Sequence, residues 1–282
     1  MSKNKKYVEL EYLESAPLPQ HAATYTVISH KRVNDKVVEE LQKNGFEIEK
    51  IFYKANADAQ IASGTVLLKQ GTDNEMRMML TWANSYDKSM RFKCAVGGYL
   101  PSSESIVVSG NMGTWGRKHT GSADLEMEKT IQDQLALAGH YYNGLVEDKA
   151  VMKDLILDET SRASLLGILY FQRGIMNTEQ VAIIRKEMKK PSFSYNADPM
   201  SLWTLYCHII YSLQIAHPKT WLDQQRLTHF YISDMFDLEK IKADKALQNV
   251  APSTTRSVKD PAQLDLVEEI EKIENHEVGT SN

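Results

Sequence analysis

EMRMMLTWANSYDKSMRFKCAVGGY, residues 75–99, decides the fold class. Met76, Met78, Leu80 and Trp82 fall on every second position; after a short polar break Met90, Phe92, Cys94 and Val96 do the same, with Arg91 and Lys93 on the opposite face. A period of two marks a strand with one buried face, because successive side chains point to opposite sides of the pleat. The break is too short for a crossover helix, so the two strands are expected to pair antiparallel. Asn84 and Asp87 flank Ser85 and Tyr86 in that break, side chains that suit a hairpin turn.

Outward from this hairpin the pattern continues in both directions. FEIEKIFYKA (46–55) alternates Phe46, Ile48, Ile51 and Tyr53 with one slip, which predicts a strand with a bulge. QIASGTVLLKQ (60–70) reads as a strand ending at the turn GTDN, and ESIVVSG (104–110) as a further short one. Nearer the start, TYTVISH (24–30) reads as a strand, and VNDKVVEELQKNG (33–45) as a helix capped by Asn34 and stopped by Gly45.

Beyond residue 122 the period changes. Met127, Ile131, Leu135, Ala138, Tyr142 and Leu145 recur every three to four residues and predict one long helix over 124–146. Further helices are expected at RASLLGILYFQRG (162–174), at NTEQVAIIRKEMKK (177–190) behind an Asn177 or Thr178 cap, and at DPMSLWTLYCHIIYSLQIAH (198–217) behind Asp198 with Pro199 in the first turn. The last, TWLDQQRLTHFYISDMFDLEK (220–240), has Thr220 as its cap. The expected class is therefore α+β: an antiparallel sheet in the N-terminal half followed by a mainly α-helical C-terminal half. The expected organisation is a mixed sheet region at 1–122, a helical region packed on it at 123–247, and at 248–282 a linker with a short acidic amphipathic helix. That helix, 262–276, has Leu266, Ile270 and Ile273 in one stripe and reads either as a frayed tail or as a docking helix for a homo-oligomer or a protein partner.

Composition narrows the function classes. Hydrophobic content of 42% and charged content of 25% belong to an ordinary globular chain, and a net charge of -4 argues against a uniformly basic nucleic-acid coat while leaving room for a local basic groove. Cys94 and Cys207 sit in apolar contexts and read as reduced core residues. The opening MSKNKKYVELEY has no apolar run, and no stretch approaches the roughly 20 apolar residues of a membrane span, so a cytoplasmic protein is expected.

The loop SGNMGTWGRKHTG (109–121) is the strongest candidate for chemistry. Its glycines at 110, 113, 116 and 121 match neither the dinucleotide fingerprint nor the phosphate loop of nucleotide hydrolases. Two readings stand: a turn with solvated charges, or a backbone contact for single-stranded DNA in which Arg117, Lys118 and His119 meet phosphates and Trp115 stacks on a base. Arg91 and Lys93 would extend that surface. His208, His217 and His229 form no i, i+4 metal pair and read as helix-packing histidines, His229 within reach of Gln225. No nucleophile motif, metal set or nucleotide loop marks a catalytic residue, metal or cofactor, so an enzyme is not expected.

The run NSYDKSMRFKCAVGGYLPSSESIVVSGNMGTWGRKHTG (84–121) resembles the DUF932 family of phage- and plasmid-encoded proteins. Asn84, Ser85, Asp87 and Ser89 match the family's turn, with Lys88 where it usually has glycine, and Arg117 and His119 match its later arginine–histidine pair. The resemblance extends over residues 24 to 235 and implies an origin in a mobile element, hence a host cytoplasm, without implying one activity. The order of a strand meander followed by a long helix is also that of single-strand annealing proteins, a likeness at fold level alone. The leading expectation is an accessory protein of phage or plasmid DNA metabolism that binds single-stranded DNA without sequence specificity, in annealing or protection. The alternative is a non-enzymatic interaction protein, a virion component or an inhibitor of host defence, with no nucleic-acid binding.

Overall fold

The alternating runs of 75–99 become two central strands, β3 (Arg77–Ser85) and β4 (Phe92–Leu100), with Leu80 opposite Val96 and Trp82 opposite Cys94. The computed structural model describes residues 7–19, 27–71, 73–87, 89–109, 116–117 and 123–250. β1 (Ile48–Ala55), β2 (Ile61–Leu68) and β5 (Ser105–Val107) complete an antiparallel sheet of order β1-β2-β3-β4-β5, and the two-residue β6 (Gly116–Arg117) pairs with β4 at Phe92 and Lys93. The expected slip in β1 is a register shift between Ile48 and Lys50.

Helix α1 (Leu10–Glu14) precedes α2 (His30–Lys43). Here the expectation of a strand at 24–30 is corrected over its described part: residues 27–29 belong to no strand of the sheet, and His30 opens the helix. The β-branched run suggests a strand, but Ser29 accepts a hydrogen bond from the Arg32 amide and so caps the helix four residues before the expected start. Asn34 is no cap; its side chain is buried and accepts from the Tyr53 hydroxyl at 2.9 Å.

The long helix over 124–146 is two helices, α3 (Ala123–Ala136) and α4 (Ala138–Asp154), separated at Leu137 with φ -108° and ψ 9°. Its apolar positions still point one way, because Met127, Ile131, Leu135, Ala138, Tyr142 and Leu145 are all buried. α5 (Glu159–Gly167) runs on into a π-helical turn, Ile168–Gln172. α6 (Thr178–Lys189) has the capping box of Asn177 and Gln180. α7 (Leu202–Ser212) is capped by Ser201 and not by Asp198, whose carboxylate instead accepts from the Met200 amide at 2.7 Å. A 3₁₀ turn (Leu213–Ile215), α8 (Trp221–Met235) and α9 (Leu238–Val250) follow.

One sheet face and the helices share a core: Val37 and Leu41 of α2, Leu80 and Trp82 of β3, Ile131 of α3 and Tyr206 of α7 lie in one buried cluster. Cys94 of β4 and Cys207 of α7 are free thiols inside it, their ionisation suppressed by burial. Residues 1–242 form one compact unit and 243–282 a second. Among the described residues, no helix is long and apolar enough to cross a membrane.

Candidate functional site

On β1 the sequence Lys50-Ile-Phe52-Tyr-Lys54 sends Ile51 and Tyr53 toward the core and puts Lys50, Phe52 and Lys54 on the other face of the sheet. Thr65 lies opposite Phe52, and Ser63 opposite Lys54. The chain start adds a third ring: Val8 bridges to Tyr53 through a 2.9 Å backbone hydrogen bond, which lays Tyr7 beside Phe52. Tyr7 and Phe52 stack with centroids 5.1 Å apart, and Phe52 and Tyr99 of β4 at 5.6 Å. The Lys50 ammonium sits 4.9 Å from the Phe52 centroid and that of Lys54 5.6 Å from the Tyr7 centroid.

The 3₁₀ turn and the first turns of α8 form the facing wall, with Leu213, Gln214, Pro218, Trp221 and Gln225. Between wall and ledge lies a pocket of about 180 Å³. Gln214 fixes its rim, donating from Nε2 to the Ser103 carbonyl (2.8 Å) and the Ser105 hydroxyl (2.7 Å). This grip holds Glu104 at φ 48°, a left-handed conformation that a side chain rarely adopts. The Tyr7 hydroxyl donates to Glu104 Oε2 at 3.3 Å. Burial first, then the charges beside it, pushes the Tyr7 hydroxyl well above the usual phenol range; burial and the Glu104 charge push Tyr99 up to about 12. Both rings therefore stay neutral donors at ordinary pH. Gln225 is 1% exposed, and its Oε1 has no hydrogen-bond partner among the described residues.

The residues singled out from sequence fall in different places. Lys93 stands on the same cross-strand row as Lys54 and Ser63, through Ala83, but its ammonium is engaged by the Asp223 carboxylate and the Lys219 carbonyl of the facing wall. Arg91 is exposed just before β4. The backbone of Arg117 runs in β6 beside Phe92 and Lys93, while Trp115, Lys118 and His119 lie outside the described residues, as does 262–276.

Asn84 is not a turn residue. It sits in β3, fully buried, and donates from Nδ2 to the Ile28 carbonyl (2.9 Å) and to His30 Nδ1 (3.1 Å). With Nδ1 accepting, His30 donates from Nε2 to the Ala59 carbonyl at 2.9 Å, which is the neutral imidazole. Ser85 ends the strand and closes the hairpin on Met90, and Asp87 accepts from the Ser89 amide at 2.9 Å.

His229 contacts Asp148 Oδ2 (3.0 Å) through Nε2 and the Tyr206 hydroxyl (3.1 Å) through Nδ1, rather than Gln225. Lys242 reaches the other Asp148 oxygen at 2.8 Å. Burial opposes ionisation of Asp148, but His229 and Lys242 outweigh it and hold the carboxyl below its usual range. The array is enclosed between α4, α7, α8 and α9 and has no nucleophile in it. Among the described residues, no group of three His, Cys, Asp or Glu side chains is placed to hold a metal.

Sequence reading missed Tyr7, Phe52, Tyr99 and Trp221. The available signal is Lys-x-Phe-x-Lys at 50–54, a basic–aromatic–basic strand face hidden by the neighbouring Ile51 and Tyr53. Fold and site together define an α+β protein with a ring-lined pocket on the second face of its sheet. Comparison with family models, curated proteins and solved structures finds no match to this chain.

Proposed function

We propose that the protein binds single-stranded DNA without sequence specificity, as an accessory protein in the DNA metabolism of a phage or plasmid, in annealing or protection of the strand. The observation that carries this reading is the row of three rings on the sheet, flanked by Lys50 and Lys54 and open to a pocket. A base stacked on such a ring is worth about 1–3 kcal/mol whatever its identity. Lys50 and Lys54 set cations beside these rings, and a hydrogen bond to a charged group, roughly 1.5–3 kcal/mol, outweighs the about 0.5–1 kcal/mol of a cation over a ring. Arg91, Trp115, Arg117, Lys118 and His119 would carry the strand onward, because β6 pairs with β4 at Lys93. Membership of the DUF932 family, proposed on residues 84–121, supports a mobile-element origin and a place in the host cytoplasm.

A second reading, the interaction protein, is favoured by the pairing of surface cations: Lys69 with Glu47, Arg77 with Glu49 and Lys93 with Asp223. Under it the pocket takes a side chain of a protein partner. Fluorescence anisotropy of labelled oligothymidylate separates the two. Phe52→Ala is expected to weaken binding about tenfold or more, and Arg117→Ala/Lys118→Ala to weaken it most at low salt. Wild type binding no better than both variants at low salt leaves the interaction protein as the reading.

A further inference from the structure

Helix α6 presents a second, differently built surface. Arg185, Lys186, Lys189 and Lys190 are all exposed, and none forms an ion pair among the described residues. The contrast with Lys69, Arg77 and Lys93, each held by a carboxylate, is local in origin. The acid nearest in sequence, Glu187, is 1% exposed and turned inward, accepting from the Ser192 amide (2.7 Å) and hydroxyl (2.8 Å), so it is spent on ending the helix. Val181, Ile184 and Met188 pack into the core and fix which side of the helix faces out.

Arg185 and Lys189, and likewise Lys186 and Lys190, are one turn apart, where like charges repel. The negative end of the helix dipole relieves part of that repulsion. A polyanion laid along the stripe would relieve the rest. The same face carries Ala182 and, at its head, Thr178, whose hydroxyl meets that of Tyr170 at 2.9 Å. Tyr170 holds Phe171 edge-on at 4.6 Å in the π-helical turn, and Phe171 is 82% exposed. An exposed ring is thus tethered at one end of the stripe, and the four cations stand toward the other, about 10–18 Å along the helix from Thr178 at 1.5 Å per residue.

We propose that α6, with Phe171 at its head, is a phosphate-backbone contact surface for single-stranded DNA: Phe171 stacks on a base while Arg185, Lys186, Lys189 and Lys190 meet successive phosphates. This rests on the nucleic-acid reading above but uses none of the ledge residues. A polyanion with flat bases fits the combination of one ring and a linear cation row. An anionic bilayer would call for an apolar face beside the cations, and that face of α6 is buried.

The test titrates labelled oligothymidylate with wild type, Phe52→Ala and Arg185→Gln/Lys186→Gln/Lys189→Gln/Lys190→Gln, at about 50 and about 200 mM salt. All four positions are exposed, so circular dichroism and Tm should stay at wild-type values. Each phosphate contact on a single strand contributes about 0.7 to the slope of log affinity on log salt, so wild type should lose about 50-fold more affinity than the fourfold variant across that range. A fourfold variant that keeps the wild-type slope, while Phe52→Ala still weakens binding, overturns the α6 surface and leaves the ledge reading in place. Absence of wild-type binding at low salt overturns both. Binding to phosphatidylserine vesicles that the fourfold variant loses, with oligothymidylate binding unchanged, makes α6 a membrane contact and also overturns the proposal.

Discussion

At Gly64 the backbone of β2 passes against the indole of Trp82, and a Cβ there would collide with the ring. Trp82 is fully buried and its Nε1 has no acceptor among the described residues, so the ring has nowhere favourable to move. Gly64→Ala should cost about 1–3 kcal/mol as overpacking. Gly144 in α4 is the control: a Cβ there meets nothing within 4 Å, and Gly144→Ala should stabilise by about 0.5–1 kcal/mol. Urea unfolding of both variants checks the pair. His208 gives a pH dependence of known sign. Burial pushes its imidazole down to about 4 against an ordinary 6.5, with Glu187 pulling up and Arg162 pushing down. Between those values the folded protein binds fewer protons than the unfolded chain. The contribution is therefore complete above the unfolded value and lost as pH falls toward the folded one. Between about pH 7 and about pH 4.5 wild type should lose about 2–3 kcal/mol more stability than His208→Leu; equal losses would remove His208 as the cause.

Among elements, the buried array of Asp148, His229, Tyr206 and Lys242 ties α4, α8, α7 and α9 together. Removing one member of such a group leaves the others desolvated without compensation. Asp148→Ala should therefore cost about 3–5 kcal/mol in unfolding free energy, far beyond the effect of removing an exposed pair such as Lys31 with Glu14. Elements were legible in the sequence where one periodicity governed the whole run, as in β3 and β4, or where the candidate caps were neighbours that gave the same helix start, as Asn177 and Thr178 did before α6. They were misread where two signals competed. Val27 and Ile28 carry strand propensity, but Ser29 had a helix to cap, and the cap decided the local structure. Leu137 keeps the apolar rhythm across the α3–α4 junction, so the break leaves no mark in the pattern. In β1 the slip was expected and Ile51 and Tyr53 were placed inward, but that apolar face drew the reading away from Phe52 on the other face and with it the pocket. Tyr7, Tyr99 and Trp221 meet Phe52 only through pairing and packing between segments far apart in sequence, which no single-strand pattern encodes.

For the molecule as a whole, the sheet and the helices up to residue 242 belong to one unit, and 243–282 form another. The apolar stripe of Leu266, Ile270 and Ile273 in the acidic segment 262–276 is proposed as the contact to a second copy or a partner. Light scattering should then show the full chain larger than a monomer and a chain ending at residue 250 monomeric; one unchanged mass for both would reject that role. Within the first unit the two thiols divide the labour of reporting on the fold. Cys94 lies in the sheet, Cys207 in the helical half, and both are sealed in the same core with their thiolates suppressed. An alkylating reagent added in excess can therefore modify each only when its own half opens. Because the halves interlock, the two cysteines should be consumed at a single rate under native conditions, giving a two-channel clock for one cooperative event. A faster Cys207 would instead time the helices letting go of the sheet.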